Sequence, residues 1–296
     1  MRQLTKNVFV DVGPGRCNPS FVATSEGVVM VDTHELPTDA LAWREEILKR
    51  GGPRYLINCE HHGDHIVGNF FFSPPAIVIS HQGTRDRFED SLGSPERVRE
   101  RISRIDPGGT QIPGDYRLTP PTVTYTEQLN LYVGEQEVQV IHMPGHTPNQ
   151  TVVWVPGERV LMAGGNLSCR IMPAMWGSRY DEWFASLDRM EALQPDYIIP
   201  VHGEVCDLAY LRQFRSLLRD WVEQVRQAIA QGWSKEETAK RVNFLGPFIM
   251  RPGREPFGQD WQERNTMAIY EHLTGSARTE WRYFSAGRYA PEVLGR

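Results

Sequence analysis

The chain has 296 residues, 40% of them hydrophobic, enough apolar material for one large domain or two modest ones. Its net charge of −5 mixes both signs without a basic block, which argues against nucleic acid as a main partner. No apolar stretch approaches the roughly 18 residues of a bilayer span, so no membrane partner is expected.

Taken in chain order, Met1 to Lys6 runs into Val8-Phe9-Val10 without the apolar core of a secretory signal, and a cytoplasmic location is expected. Cys17, Cys59, Cys169 and Cys206 are scattered with no Cys-x-x-Cys pair, the pattern of reduced thiols. Phe21 to Ala23 and Val28 to Val31 read as strands joined by a tight turn at Glu26-Gly27. Thr38 or Asp39 is expected to cap a helix that sets Ala40, Trp43 and Ile47 on one face and stops at Gly51-Gly52-Pro53. Tyr55 to Asn58 and Ile77 to Ser80 read as further strands. The polar stretch from Arg85 to Pro121, punctuated by Pro and Gly, reads as a lid or mobile insertion. Strands return at Val138 to Ile141, Thr151 to Val155, Val160 to Met162 and Tyr197 to Val201.

From Asp207 the texture turns helical. Leu211, Leu218, Val222, Val225 and Ile229 share one face, and Gly232 ends that helix. Ser234-Lys-Glu-Glu237 spells a capping box for the next helix, and Tyr270 and Leu273 lie in a last one that begins near Trp261. No linker separates the regions. The chain reads as a single domain over 1–296, with a core of 1–206 and a helical C-terminal extension of 207–296. That extension is a candidate homodimer surface, although amphipathic helices also pack internally.

The chemistry lies in short islands, each following an apolar strand: Glu60-His61-His62-Gly63-Asp64-His65, Pro144-Gly145-His146-Thr147, Gly164-Gly165-Asn166 and Pro200-Val201-His202-Gly203. A tight turn dense in His and Asp is poor packing material, and a divalent cation is the common partner such side chains share. Islands leaving the carboxyl ends of strands in a layered fold converge on one edge. Around them, Phe70, Phe71, Phe72, Met172, Met175, Trp176 and Trp183 are either core or the wall of an apolar, aromatic-friendly pocket. Arg170 and Arg179 keep a phosphate ester open as substrate. His61 is expected to point away from the site, His142 to alternate out of its strand, and His81 and His272 to be surface or packing residues. Asp32 is expected to brace a loop, and Cys169 and Cys206 to be small buried thiols.

These ordered islands resemble the metallo-β-lactamase superfamily over about residues 8–206. The resemblance implies an αβ/βα four-layer sandwich and a hydrolase that activates water on zinc. Two departures stand out: Glu60 replaces the leading His of the first motif, and Asn166 stands where a bridging Asp or a Cys is usual. A shift of one residue would put Gly165 there instead, with no ligand at all. The implied metal set is Asp64, His65, Asn166 and His202, with Asp64 and His65 also catalytic. Glu60, His62 and His146 form a possible second metal site or substrate contact. One tightly bound zinc is expected, with the second ion left open. In ligand pattern the set is most similar to the hydrolytic chlorothalonil dehalogenases, which implies water attack on a chlorinated aromatic, an apolar small-molecule substrate. A β-lactamase or lactonase-type amide or ester hydrolase is the alternative, since Pro144 to Pro156 resembles class B β-lactamases. A degenerate, non-catalytic metal-binding protein of the same fold is a further one.

Overall fold

The computed structural model describes residues 1–13, 16–106, 109, 112–250 and 254–276, so the last part of the expected extension, 277–296, lies outside the described residues. The first sheet runs in sequence order: β1 (Arg2–Gln3), β2 (Val8–Val10), β3 (Ser20–Thr24), β4 (Gly27–Val31), β5 (Pro53–Asn58), β6 (Ile77–His81) and β7 (Val123–Tyr125). Its pairings are antiparallel from β1 to β4 and parallel from β4 to β7. The second sheet contains β8 (Gln128–Val133), β9 (Gln136–His142), β10 (Thr151–Val155), β11 (Val160–Met162) and β12 (Tyr197–Ile199), in the order β12-β11-β10-β9-β8.

Helix α1 (Pro37–Leu48) follows β4, and the single turn α2 (Gly63–Ile66) follows β5. Three helices fill the insertion after β6: α3 (Gln82–Asp86), α4 (Phe88–Leu92) and α5 (Pro95–Ile105). Then come α6 (Tyr180–Ala192), α7 (Leu208–Ala230), α8 (Lys235–Arg241) and α9 (Gly258–Leu273).

The layering follows from side-chain alternation along strands buried on both faces. Val29, Val31, Val153, Val155 and Met162 meet between the sheets. Val28 and Met30 turn outward onto Trp43 and Ile47 of α1. Val152, Trp154 and Leu161 turn the other way, onto Leu187 of α6, Leu211, Phe214 and Trp221 of α7 and Ile269 of α9. The result is helix, sheet, sheet, helix, the four-layer mixed α/β sandwich that the islands imply, with the C-terminal helices inside the outer core.

Some local readings need correction. The N-cap of α1 is Leu36, with no side-chain bond, while Thr38 and Asp39 lie inside the helix. Pro37 presets φ for the first turn, and the start lies two or three residues upstream of the expected cap. The last strand of the second sheet stops at Ile199 because Pro200 has no N–H for the ladder. The insertion is not bare loop: Phe88, Leu92, Val98, Ile102, Ile112 and Tyr116 bury against Ile66 and Val67, just past the first island.

Candidate metal centre

Strand β5 ends at Asn58, and the chain then turns through Cys59 to His62 into α2. The turn is held from outside by the His65 carbonyl, which accepts from Thr33 N at 3.2 Å, Thr33 Oγ1 at 2.9 Å and Asn58 Nδ2 at 3.3 Å. The island after β9 brings His146 across from the second sheet, and the island after β12 brings His202. Distances show which of these side chains meet.

Glu60 is fully buried, with Oε2 at 2.5 Å from His62 Nδ1 and Oε1 at 3.4 Å from His65 Nε2 and 3.5 Å from His146 Nε2. His146 Nε2 stands 3.3 Å from His62 Nδ1. Beside them, His202 Nε2 lies 3.8 Å from Asp64 Oδ2. His65 Nδ1 lies 2.8 Å from Asp32 Oδ2, and His202 Nδ1 donates to the Arg16 carbonyl at 2.8 Å. Those outer partners orient both rings with Nε2 inward, the direction that metal-binding imidazoles need.

Electrostatics follow the same geometry. Burial pushes the Glu60 carboxyl up, but the imidazoles of His62, His146 and His65 overcome it and hold the group well below the usual range. Burial pulls His65 down, yet Asp32 and Glu60 raise it to about 10. Burial lowers His146 to about 4 against the pull of Glu60, so its ring is neutral and can offer a lone pair at neutral pH. His61 points elsewhere: its Nδ1 meets Asn149 Oδ1 at 3.0 Å, and burial lowers it to about 3.

The donor set fits a divalent cation. Glu60, His62 and His146 each present one ligand atom, all within 4.8 Å of one another. Both Glu60 oxygens are buried without a hydrogen bond of acceptable geometry. An ion in such a place costs several kcal/mol unless compensated, and a carboxylate with imidazole nitrogens suits a borderline ion such as Zn²⁺.

Asn166 is engaged differently. Its Oδ1 accepts from His146 N at 3.0 Å and its Nδ2 donates to the Met143 carbonyl at 2.7 Å, so the amide braces the turn that carries His146. Gly165, the neighbour, is the residue whose Cα faces Glu60 and His146.

The aromatic and thioether residues divide. Phe71 and Phe72 bury beneath the first sheet, and Met172 and Met175 join the outer core. Trp176 packs edge-on against Trp261. Trp183 alone of this group touches the centre, its ring 5.8 Å from His146 and its Nε1 donating to the Asn166 carbonyl at 2.9 Å. His81 and His142 stack on each other at 4.1 Å, and His272 meets Tyr180 edge-on. The Arg170 amide donates to the Tyr210 hydroxyl, and the Arg179 amide donates to the Gly145 carbonyl beside His146.

Two features went unread in the sequence. Glu35, buried, takes Arg16 at 3.2 Å and Arg101 of α5 at 2.5 Å, and the Arg101 guanidinium rests on Gly63 in the first island. Gln150 is buried with Oε1 unpartnered, while its Nε2 donates to the Cys59 and Thr151 carbonyls. Its only hint is a polar residue directly before the fully buried β10.

Two sheets between helical layers, with ligands gathered from loops at the strand ends, define a metal-binding sandwich hydrolase class. The chain belongs to the metallo-beta-lactamase superfamily, whose family pattern matches residues 12–202. A linear primary-alkylsulfatase from Pseudomonas sp. (strain ATCC 19151) is 30% identical over 169 residues, covering 52% of this chain and 31% of that protein. The chain thus spans about a third of that relative's length. A type 2 metallo-beta-lactamase from Elizabethkingia meningoseptica is 22% identical over 219 residues, 70% of this chain and 77% of that one. Among solved structures, the sec-alkylsulfatase Pisa1 from Pseudomonas sp. aligns with a TM-score of 0.67 at 15% identity, covering 92% of this chain and 50% of that one. A metallo-beta-lactamase family protein from Thermus thermophilus aligns with a TM-score of 0.64 at 18% identity, covering 92% and 95%. Likeness at these identities is likeness of fold.

Proposed function

We propose that this chain is a metal-dependent hydrolase in which Glu60, His62 and His146 hold a divalent cation, zinc first, beside Asp64, His65 and His202. The observation that carries the reading is the Glu60 carboxylate, fully buried among three imidazoles without a proper hydrogen bond. A cation bound there supplies the Lewis acidity that makes water a nucleophile near neutral pH. Asp64 would be placed to orient a water there and to accept its proton. Asp32 keeps His65, and the Arg16 carbonyl keeps His202, aimed inward. Asn166, with one lone pair of Oδ1 already used by His146 N–H, holds the His146 turn in this reading.

For the substrate, an anionic ester fits best. Arg16 and Arg101 both reach Glu35, and the Arg101 guanidinium rests on Gly63, so two cationic side chains stand at the rim of the first island. The alkylsulfatase relative points to a sulfate ester. Hydrolytic dehalogenation of a chlorinated aromatic ranks second, because it calls on Asn166 as a ligand and on a flat apolar wall. Most of the residues offered for that wall lie in the cores.

The test is metal content of purified protein, then turnover of a linear alkyl sulfate, a chlorinated aromatic nitrile, a lactone and a β-lactam. We expect about one zinc per chain, alkyl sulfate as the preferred substrate, and loss of metal in His62→Ala and His146→Ala. Folded protein that takes up no transition metal sinks the proposal. Retained metal with no turnover of any substrate would favour a binding protein.

A further inference from the structure

The 3-10 turn Gly164–Asn166 passes close to the buried acid of the centre. A Cβ at Gly165 would stand 2.3 Å from His146 Cδ2, 2.4 Å from Glu60 Oε1 and 2.8 Å from Gln150 Oε1. These are closer than real Cβ contacts. The φ of Gly165 lies outside the left-handed region, so space and not backbone conformation demands glycine here. Of the surrounding groups, Gln150 yields least, because its Nε2 is tied to the Cys59 carbonyl at 3.3 Å and the Thr151 carbonyl at 3.0 Å. Glu60 is held by imidazoles alone, with Oε2 at 2.5 Å from His62 Nδ1 and no hydrogen bond of good geometry at either oxygen. A side chain at 165 therefore presses on the Glu60 carboxylate and on the His146 ring beside it.

We infer that Gly165 is a positioning residue that admits the Glu60 carboxylate into the centre. The anionic ligand then enters from the β5 side of the site, and the turn 164–166 makes room for it. The inference rests on the metal reading above and adds the claim that positions 60 and 165 act as one unit. Glutamate at 60 and glycine at 165 are two halves of one arrangement: the longer acid fills the volume that a side chain on the opposite wall would take.

The experiment is a double-mutant cycle on the full chain, with Gly165→Ala, Glu60→Ala and the pair. Zinc affinity is read by competition with a chromophoric chelator, and the visible spectrum of the cobalt(II) form is recorded. Each single change is expected to weaken zinc about 10- to 100-fold. Adding Gly165→Ala to Glu60→Ala is expected to weaken it little further. The melting-temperature gap between zinc-loaded and metal-free protein should narrow in Gly165→Ala, whereas a purely structural role would lower both forms alike. Multiplicative losses, or a Gly165→Ala protein with unchanged affinity and cobalt spectrum, overturn the inference. If Gly165→Ala fails to fold while the double variant folds, the obstructing group is Glu60, as inferred. If both fail to fold, it is not. Absence of zinc from the unaltered protein would instead sink the metal reading itself.

Discussion

Asp32 shows how much one residue can settle. Its φ of +58° lies in the left-handed region, where Asp and Asn are the side chains most often tolerated. From there Oδ1 accepts from the Cys59 amide at 2.8 Å and Oδ2 faces His65 Nδ1 at 2.8 Å. A single carboxylate thus ends β4, anchors the start of the first island and fixes an imidazole. Asp32→Ala should weaken zinc binding about 10- to 100-fold. Asp32→Asn keeps the unusual backbone and the Cys59 bond, so it should fall between the unaltered protein and Asp32→Ala. Chelator competition reads both, and an alanine variant with unweakened affinity contradicts the role. His62, Asp64 and His65 stand out in the sequence as candidate metal chemistry because their types and spacing after a strand have few other uses. Gly164-Gly165-Asn166 was not, since the same letters spell a ligand or a turn. Which of the two is realised depends on a close approach to Glu60 from about a hundred residues away in sequence.

Among the elements, α5 has the most consequence for the site. Ser94 caps it through a bond to Arg97 N, and Pro95 occupies its first turn. Val98 and Ile102 then bury against Ile66 and Val67, while Arg101 reaches Glu35 and Gly63. The insertion therefore presses on the island that carries His62, Asp64 and His65. Ile102→Ala should cost about 2–5 kcal/mol locally. Amide hydrogen exchange should quicken through 82–105 with little change in β4 and β5; uniform quickening would show that the insertion has no separate stability. Its helices escaped the sequence because α3 and α4 have only 5 residues each, and Val98 with Ile102 is a lone i, i+4 pair in a highly charged segment. Strand β8 escaped for a related reason: Gln128, Asn130 and Tyr132 are exposed, so its sequence carries no continuous apolar run. By contrast, β4 and β10 are buried at every position and read correctly from their apolar runs.

At the scale of the molecule, the question is what the C-terminal helices do. Sequence texture alone marks residues 207–296 as an extension, because composition changes at Asp207 and no metal ligand follows. Packing gives those helices a different weight. Leu211, Phe214, Leu218, Trp221 and Val225 of α7, with Ile269 of α9, share one cluster with Val152, Trp154, Leu161 and Ile198 of the second sheet. Trp221 stacks on Phe244 at 4.7 Å and 6°, and its Nε1 donates to Thr266 Oγ1 at 3.0 Å. Without α7 and α9 the outer face of the second sheet would be covered by α6 alone, and that sheet supplies His146 and His202 through the loops after β9 and β12. Trp221→Ala should therefore cost about 3–5 kcal/mol and lower the melting temperature on the order of 10 °C, read by calorimetry as one transition. A chain ending at residue 206 should lose its near-ultraviolet dichroism and its zinc together, since ligands from both sheets must meet for either to persist. Were that shorter chain to melt cooperatively and keep zinc, α6 alone would suffice as the fourth layer, and the later helices would be an addition to it.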